Sequence, residues 1–176
     1  MGQNSPGTKK SRDDQVKKVG KLTFTRLFEA PRERVWEAWT EPDLVKRWWG
    51  PKFFTAPFIE IDLHVGGKYL YCMRSPDGRD FWSSGVYREI VPMKRIVYSQ
   101  NFADELGNTT PASQIGLPGD WPPEIMVTVT FEEQGGKTKI IVREVGIPKE
   151  MSDMAEAGMS ESLDKLAKVL EEKKSS

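Results

Sequence analysis

Few side chains in this sequence are suited to nucleophilic catalysis or to metal binding. His64 is the only histidine and Cys72 the only cysteine among 176 residues. A Ser-His-Asp triad needs a positioned imidazole, and a zinc site usually needs several histidine or cysteine ligands. His64 alternates with aliphatic residues alongside Glu60 and Asp62, a pattern typical of a surface histidine. The sequence therefore predicts no metal site and no set of catalytic residues.

One carboxylate could still act as an acid or a base. Glu89 shares strand parity with Gly85 and Tyr87, which predicts that it faces the protein interior. A buried carboxyl group has a raised pKa and can transfer protons near neutral pH. The alternative is a glutamate paired with a neighbouring arginine or lysine at the end of the sheet. Cys72 has the opposite parity to Tyr71 and is predicted to be an unreactive thiol.

Tyrosine and methionine dominate the predicted inward positions and favour a binding pocket over a tightly packed core. A buried tyrosine needs a hydrogen-bond partner, and methionine is a flexible filler of adaptable surfaces. The alternative reading of each residue is an ordinary core side chain. The predicted pocket residues are Tyr69, Tyr71, Met73, Tyr87, Met154, Met159 and Leu163, with Trp49, Phe54 and Trp121 at the mouth.

Composition excludes several classes of partner. The formal net charge is zero, from 26 basic and 26 acidic residues, whereas a nucleic-acid binder usually carries a basic excess. No run approaches the ~20 apolar residues of a membrane-spanning helix. A single cysteine excludes an internal disulfide and favours a reducing, cytoplasmic environment. We expect no cofactor, no nucleic-acid partner, and a monomer or weak dimer.

The order of predicted elements indicates an α+β fold. Residues 1–20 are polar and aperiodic, which predicts a disordered tail, and 21–176 are predicted to form a single domain. A first strand precedes two short helices, six further strands follow, and the one long helix is predicted over 149–173. The strands have short links and should form a curved antiparallel sheet of about seven strands, wrapped around the C-terminal helix in a helix-grip fold. The strand after the two helices is predicted over 59–65.

A loop of about twenty residues interrupts the strands at 103–123. It is rich in glycine and proline and is longer than most connections in compact domains. Such loops are often functional lids or disordered segments. Trp121 within it favours a packed lid.

Five blocks of sequence resemble the heat-shock-protein-90 ATPase activator-like family, which belongs to the START and birch-pollen-allergen-like (SRPBCC) superfamily. They are FEAPRERVW at 28–36 with WWGP at 48–51, GG at 66–67 with MRSPDG at 73–78, GVYREIVP at 85–92, VTVTFEE at 127–133, and Gly158 with SLDKL at 162–166. The resemblance runs from about residue 21 to the end of the chain. It implies the helix-grip fold, with apolar ligands held between sheet and helix.

Three functions remain open on this reading. The first is binding of a small hydrophobic or amphipathic molecule between the sheet and the C-terminal helix. The second, implied by the resemblance, is a co-chaperone-like module with a role in the stress response that stimulates a chaperone ATPase. The third is a cyclase- or hydrolase-like enzyme acting on an apolar substrate, with Glu89 as its acid or base.

Overall fold

The computed structural model describes residues 20–172 and shows one seven-stranded sheet with three α-helices. The predicted tail, 1–20, lies outside the described residues except for Gly20, whose carbonyl accepts a hydrogen bond from the Gly146 amide at 2.9 Å. The elements are β1 Lys21–Phe28, α1 Arg32–Thr40, α2 Pro42–Val45, β2 Thr55–Ile61, β3 Lys68–Arg74, β4 Asp80–Val91, β5 Arg95–Ala103, β6 Ile125–Gln134, β7 Lys137–Val145 and α3 Ser152–Glu171.

The sheet is antiparallel throughout, in the order β1-β7-β6-β5-β4-β3-β2. Strands β2 to β7 form the predicted meander, and β1 pairs with β7 rather than with β2. The helices α1 and α2 carry the chain from the β1 edge to the β2 edge. The curved sheet, the two short helices and the long C-terminal helix confirm the predicted α+β helix-grip fold.

Aromatic packing beneath α1 anchors one end of the core. The apolar positions of α1 repeat at three- and four-residue steps, so Val35, Trp36 and Trp39 fall on one buried face. The ring of Trp36 lies 5.1 Å from that of Phe131, and the ring of Trp39 lies 4.7 Å from that of Trp48. This packing fixes α1 against the sheet at this end of the concave face.

Strand β2 differs from its predicted bounds of 59–65. It begins at Thr55 and ends at Ile61, while Leu63 and Val65 are 37% and 62% exposed in the turn that follows. The pairing with β3 is irregular between Thr55 and Phe58, around Pro57. Proline cannot donate to a strand ladder and is tolerated because β2 is an edge strand. The predicted end was wrong because the alternation of apolar residues continues to Val65, whereas the last residue of β2 that pairs with β3 is Ile61.

Helix α3 contacts the rest of the protein unevenly along its length. Its C-terminal half buries Ser162, Leu163, Leu166 and Leu170. In contrast, no residue of 152–161 is buried, and Ala155 and Met159 on the inward side remain partly accessible. The first half of the helix therefore does not seal the sheet beneath it.

Candidate functional site

Four tyrosines form a cluster at the centre of the concave face. Tyr69, Tyr71 and Tyr87 face inward as predicted, and Tyr98 joins them from β5, where sequence analysis did not select it. All four are at most 7% exposed. The Tyr69 ring lies 4.9 Å from that of Tyr71, 5.6 Å from that of Tyr87 and 5.4 Å from that of Tyr98. Because the rings pack against one another, the centre of the face is largely filled by the protein itself.

The hydroxyl groups of this cluster are neutral hydrogen-bonding groups. The Tyr69 hydroxyl donates to the Ser99 carbonyl oxygen at 2.7 Å. Burial raises the pKa of all four tyrosines above the usual value of 10.0. None of them is a candidate base, and each presents a polar atom within an otherwise apolar surface.

A cavity of about 350 Å³ opens beside the cluster, beneath the long loop. Strand β6 begins at Ile125, opposite Gln100, so the last residues of β5 have no β6 partner and the loop 104–124 covers them instead. The volume is at the lower end of the range for small-molecule sites. The cavity is lined by Gln100, Asn101, Phe102, Thr109, Thr110, Pro111, Ala112, Trp121, Pro122, Pro123 and Ile125.

The loop over this cavity is a packed cover, as Trp121 suggested. The Trp121 ring lies 4.9 Å from that of Phe102, and the Thr110 amide donates to the Phe102 carbonyl at 2.9 Å. From outside, the Arg79 guanidinium donates to the Ile115 carbonyl at 2.7 Å. The Thr110 hydroxyl oxygen is buried without a hydrogen-bond partner among the described residues. The cavity wall therefore combines aromatic surface with an unused polar atom.

Glu144 is a buried carboxylate beside this cavity that sequence analysis missed. Strand pairing places Tyr98, Val127 and Glu144 in one row across β5, β6 and β7, on the concave face. Ile125, in the cavity wall, is the diagonal neighbour of Glu144, a separation of about 7–8 Å in antiparallel sheets. A Cβ added to Gly146 would lie 2.9 Å from Pro122, so the backbone just after Glu144 abuts the cavity wall.

The environment of Glu144 is unusual for a charged group. It is 7% exposed, and within residues 20–172 it has neither a hydrogen bond nor an ion pair. Burial raises the pKa of its carboxyl group from 4.5 to about 7. Neither oxygen is among the fully enclosed polar atoms that lack partners, so space that can admit a small group remains beside the carboxylate. Its parity with Ile140 and Val142 was the available sequence signal.

Glu89 does not face the cavity, contrary to expectation. A β-bulge lies between the pairs Tyr87–Tyr98 and Glu89–Val97, and the extra residue reverses the facing of the strand. The Glu89 side chain is 48% exposed and forms an ion pair with Arg95 at 3.3 Å. Glu89 is therefore a glutamate paired with an arginine near the end of the sheet, which was the alternative prediction.

The mouth residues Trp49 and Phe54 lie at the β2–β3 end of the concave face. Trp49 contacts Tyr71 edge-on at 4.8 Å, and Phe54 lies 6.3 Å from Phe81. The Lys165 ammonium donates to the carbonyls of Trp49, Pro51 and Phe54 at 3.5, 3.2 and 3.3 Å. This segment is therefore fixed to helix α3, away from the loop-covered cavity.

The remaining predicted residues occupy different environments. Met73 is partly buried beside Gly50, Leu163 is 2% exposed in the core, and Met159 is partly buried on α3. Met154 is 63% exposed, because it lies on the outer side of α3. Of the ten predicted pocket residues, only Trp121 lines the cavity of about 350 Å³.

No side chains described at 20–172 are grouped so that three or more histidine, cysteine or acidic residues could hold a metal ion. His64 is exposed and bonded to Asp62 at 2.8 Å. Cys72 is fully buried, and burial raises the pKa of its thiol to about 11. Over the same part of the chain, no helix is both long and apolar enough to cross a bilayer.

A curved antiparallel sheet, a long C-terminal helix and two short helices after the first strand place this protein in the helix-grip class. Residues 29–171 match the sequence model of the family described as Activator of Hsp90 ATPase homolog 1-like protein. The match spans most of the chain, and the chain belongs to this family. A search of proteins with curated functions finds no match.

Several solved structures share the fold over nearly their whole length. A protein from Chromobacterium violaceum is 28% identical with a TM-score of 0.72, over 87% of this chain and 98% of that one. A protein from Arthrobacter aurescens is also 28% identical with a TM-score of 0.72, over 88% and 87%. The AHSA1 protein from Silicibacter pomeroyi is 22% identical with a TM-score of 0.67, over 85% and 96%, a likeness of fold alone.

Proposed function

We propose that this protein binds a small, mostly apolar molecule in the cavity beneath the loop 104–124, on the concave side of the sheet. The observation that carries the proposal is the cavity itself, which offers about 350 Å³ beside Phe102, Trp121 and Ile125. Cavities of this size, lined by aromatic and aliphatic side chains with a few polar atoms, are typical small-molecule sites.

The size of the cavity limits its occupant. One water-sized group takes up roughly 30 Å³, so the cavity holds roughly a dozen such groups. Ala155 and Met159 on the inner side of α3 pack against the core and are partly accessible, and no residue of α3 lines the cavity. The ligand site thus lies at the loop end of the concave face, where Gln100 and Phe102 of β5 line it beyond Tyr98.

Titration with 1-octanol, followed by backbone and indole NMR shifts, tests this proposal. Octanol should shift the signals of Ala112, Ile125 and the Trp121 indole, and leave Leu70 on the convex face unmoved. The variant Ala112→Leu should remove these shifts, because Ala112 is 7% exposed in the cavity wall and a larger side chain fills the space. Ala157→Leu is the matched control, since Ala157 is exposed on α3.

Two results would contradict the proposal. Octanol could leave the cavity signals unmoved at saturating concentration, or it could shift convex-face signals such as Leu70 just as strongly, as expected of non-specific adsorption. Persistence of the shifts in a folded Ala112→Leu variant would place binding elsewhere.

The second candidate function is a co-chaperone-like interaction. The observation that favours it is the family match over residues 29–171, whose description names activation of the Hsp90 ATPase. A steady-state ATPase assay with the cognate Hsp90 tests it, and a dose-dependent rise in the rate is the expected result. Absence of stimulation and of co-elution at saturating protein would eliminate this role.

A further inference from the structure

We infer that Glu144 makes the site selective for apolar molecules that carry a protonated amine. The inference rests on the proposed ligand site and names the chemical class of its ligand. It is based on where Glu144 lies, on what surrounds it, and on the absence of a cation beside it among residues 20–172.

The strand register places Glu144 where a bound ligand can reach it. On the concave face its cross-strand neighbours are Val127 on β6 and Leu22 on β1. Both neighbours are apolar and neither can donate a hydrogen bond from its side chain. Val127 is fully buried between Tyr98 and Glu144 in this row, so a ligand would approach the carboxylate from the side of Ile125. Ile125, two residues before Val127, lines the cavity, and neither Glu144 oxygen is among the fully enclosed polar atoms that lack partners.

The cation on the same face of the neighbouring strand does not neutralise Glu144. Arg26 on β1 pairs with Ile140, four residues from Glu144 along β7, or about 13 Å at the usual rise per residue. The Arg26 guanidinium is already bonded to Asp164 at 2.7 Å and to the Ser160 carbonyl at 3.4 Å. Among residues 20–172, no side chain or backbone group donates a hydrogen bond to the Glu144 carboxylate.

A ligand ammonium satisfies this arrangement better than other head groups. A carboxylate removed from water is costly unless a cation and hydrogen-bond donors compensate it. An ammonium donates charge-assisted hydrogen bonds to such a carboxylate and supplies the positive charge that balances it. A ligand carboxylate would be repelled, and a hydroxyl group could donate only one hydrogen bond and would bring no positive charge to balance the carboxylate.

Three probes of equal chain length separate these possibilities: octylamine, 1-octanol and octanoate. Affinities are measured by isothermal titration at a pH above the Glu144 pKa and below that of an alkylamine. The wild-type protein should bind octylamine roughly ten- to a hundred-fold more tightly than octanol, the range expected for a charge-assisted hydrogen bond. Octanoate should bind most weakly.

The variants assign the preference to one side chain. Glu144→Gln should lose the preference for octylamine over octanol and bind octanoate less poorly. Glu89→Gln is the matched control, because Glu89 is exposed and paired with Arg95 on the outer face; it should retain the full preference.

The outcomes distinguish failure of this inference from failure of the proposed site. Equal affinities for octanol and octylamine in the wild type, or a preference that persists in Glu144→Gln, would overturn the role of Glu144 and leave the apolar site standing. Failure of all three probes to bind would overturn the proposed site together with the inference.

Discussion

Replacing Glu144 by glutamine should stabilise the protein at alkaline pH and leave its stability nearly unchanged in mild acid. In the folded protein, burial raises the pKa of this carboxyl group to about 7, against an ordinary value of 4.5. Between these two values the folded state holds a proton that the unfolded state has released. Stability therefore falls as the pH rises from 4.5 to about 7, and the loss is complete above that range.

The size of the effect follows from the difference between the two pKa values. At about 1.4 kcal/mol per pH unit, that difference corresponds to about 3 kcal/mol of stability lost by the wild type at alkaline pH. Glutamine resembles the protonated carboxyl group and carries no charge at any pH. For a chain of this length, about 3 kcal/mol corresponds to a rise in Tm of roughly 6–12 °C.

Urea denaturation of wild type and Glu144→Gln, from about pH 5 to about pH 9, measures this difference. The subtraction removes every titration that the two proteins share, so the remaining pH dependence belongs to Glu144. Glu89→Gln should run parallel to the wild type throughout. A difference that does not change with pH would refute the reasoning. A Glu144→Gln variant that is less stable at alkaline pH would show that the carboxylate has a stabilising partner.

Other variants test the packing around the site. Gly85→Ala should cost about 3 kcal/mol in urea denaturation, because its Cβ would lie 1.7 Å from the Ser99 carbonyl oxygen; Gly158→Ala, where the nearest atom is 3.5 Å away on a helix, should instead stabilise by about 0.5–1 kcal/mol. Tyr69→Phe should lose about 1 kcal/mol with the hydrogen bond to Ser99. Cys72 should react with a thiol reagent only as fast as the protein unfolds, and rapid labelling of the native protein would contradict its burial.

The fold was predictable because its signals are local and repeated. Alternation of apolar residues located the strands to within a few residues, apart from β2, and the spacing along 149–173 located the long helix. The inward facing of Tyr69, Tyr71 and Tyr87 followed from the same alternation. What parity could not show is that these rings contact one another at 4.9–5.6 Å and fill the centre of the face.

The candidate site was harder to predict because it depends on two breaks in regularity. The β-bulge after Tyr87 turns Glu89 outward, and nothing in the composition of residues 85–91 marks it. Because β6 starts only at Ile125, the last residues of β5 have no β6 partner, and the cavity forms where the loop packs over them. The inward position of Glu144 could have been predicted, since Glu144 continues the inward series of Ile140 and Val142. Its charge, however, favoured a surface position.

The arrangement of polar groups distinguishes the binding region from the core on the same concave face. The Tyr69 hydroxyl donates a hydrogen bond to the Ser99 carbonyl, and neighbouring rings fill the space around it, as expected of side chains that only stabilise the fold. Toward the loop end, Thr110 and Glu144 are buried without partners within residues 20–172, next to a cavity. Buried polar groups are normally satisfied, and the burial that raises the pKa of Glu144 to about 7 should destabilise the folded protein by about 3 kcal/mol at alkaline pH. A ligand that brings a cation to the carboxylate, as proposed above, would offset this cost, and the cost therefore links the stability measurement to the binding measurement.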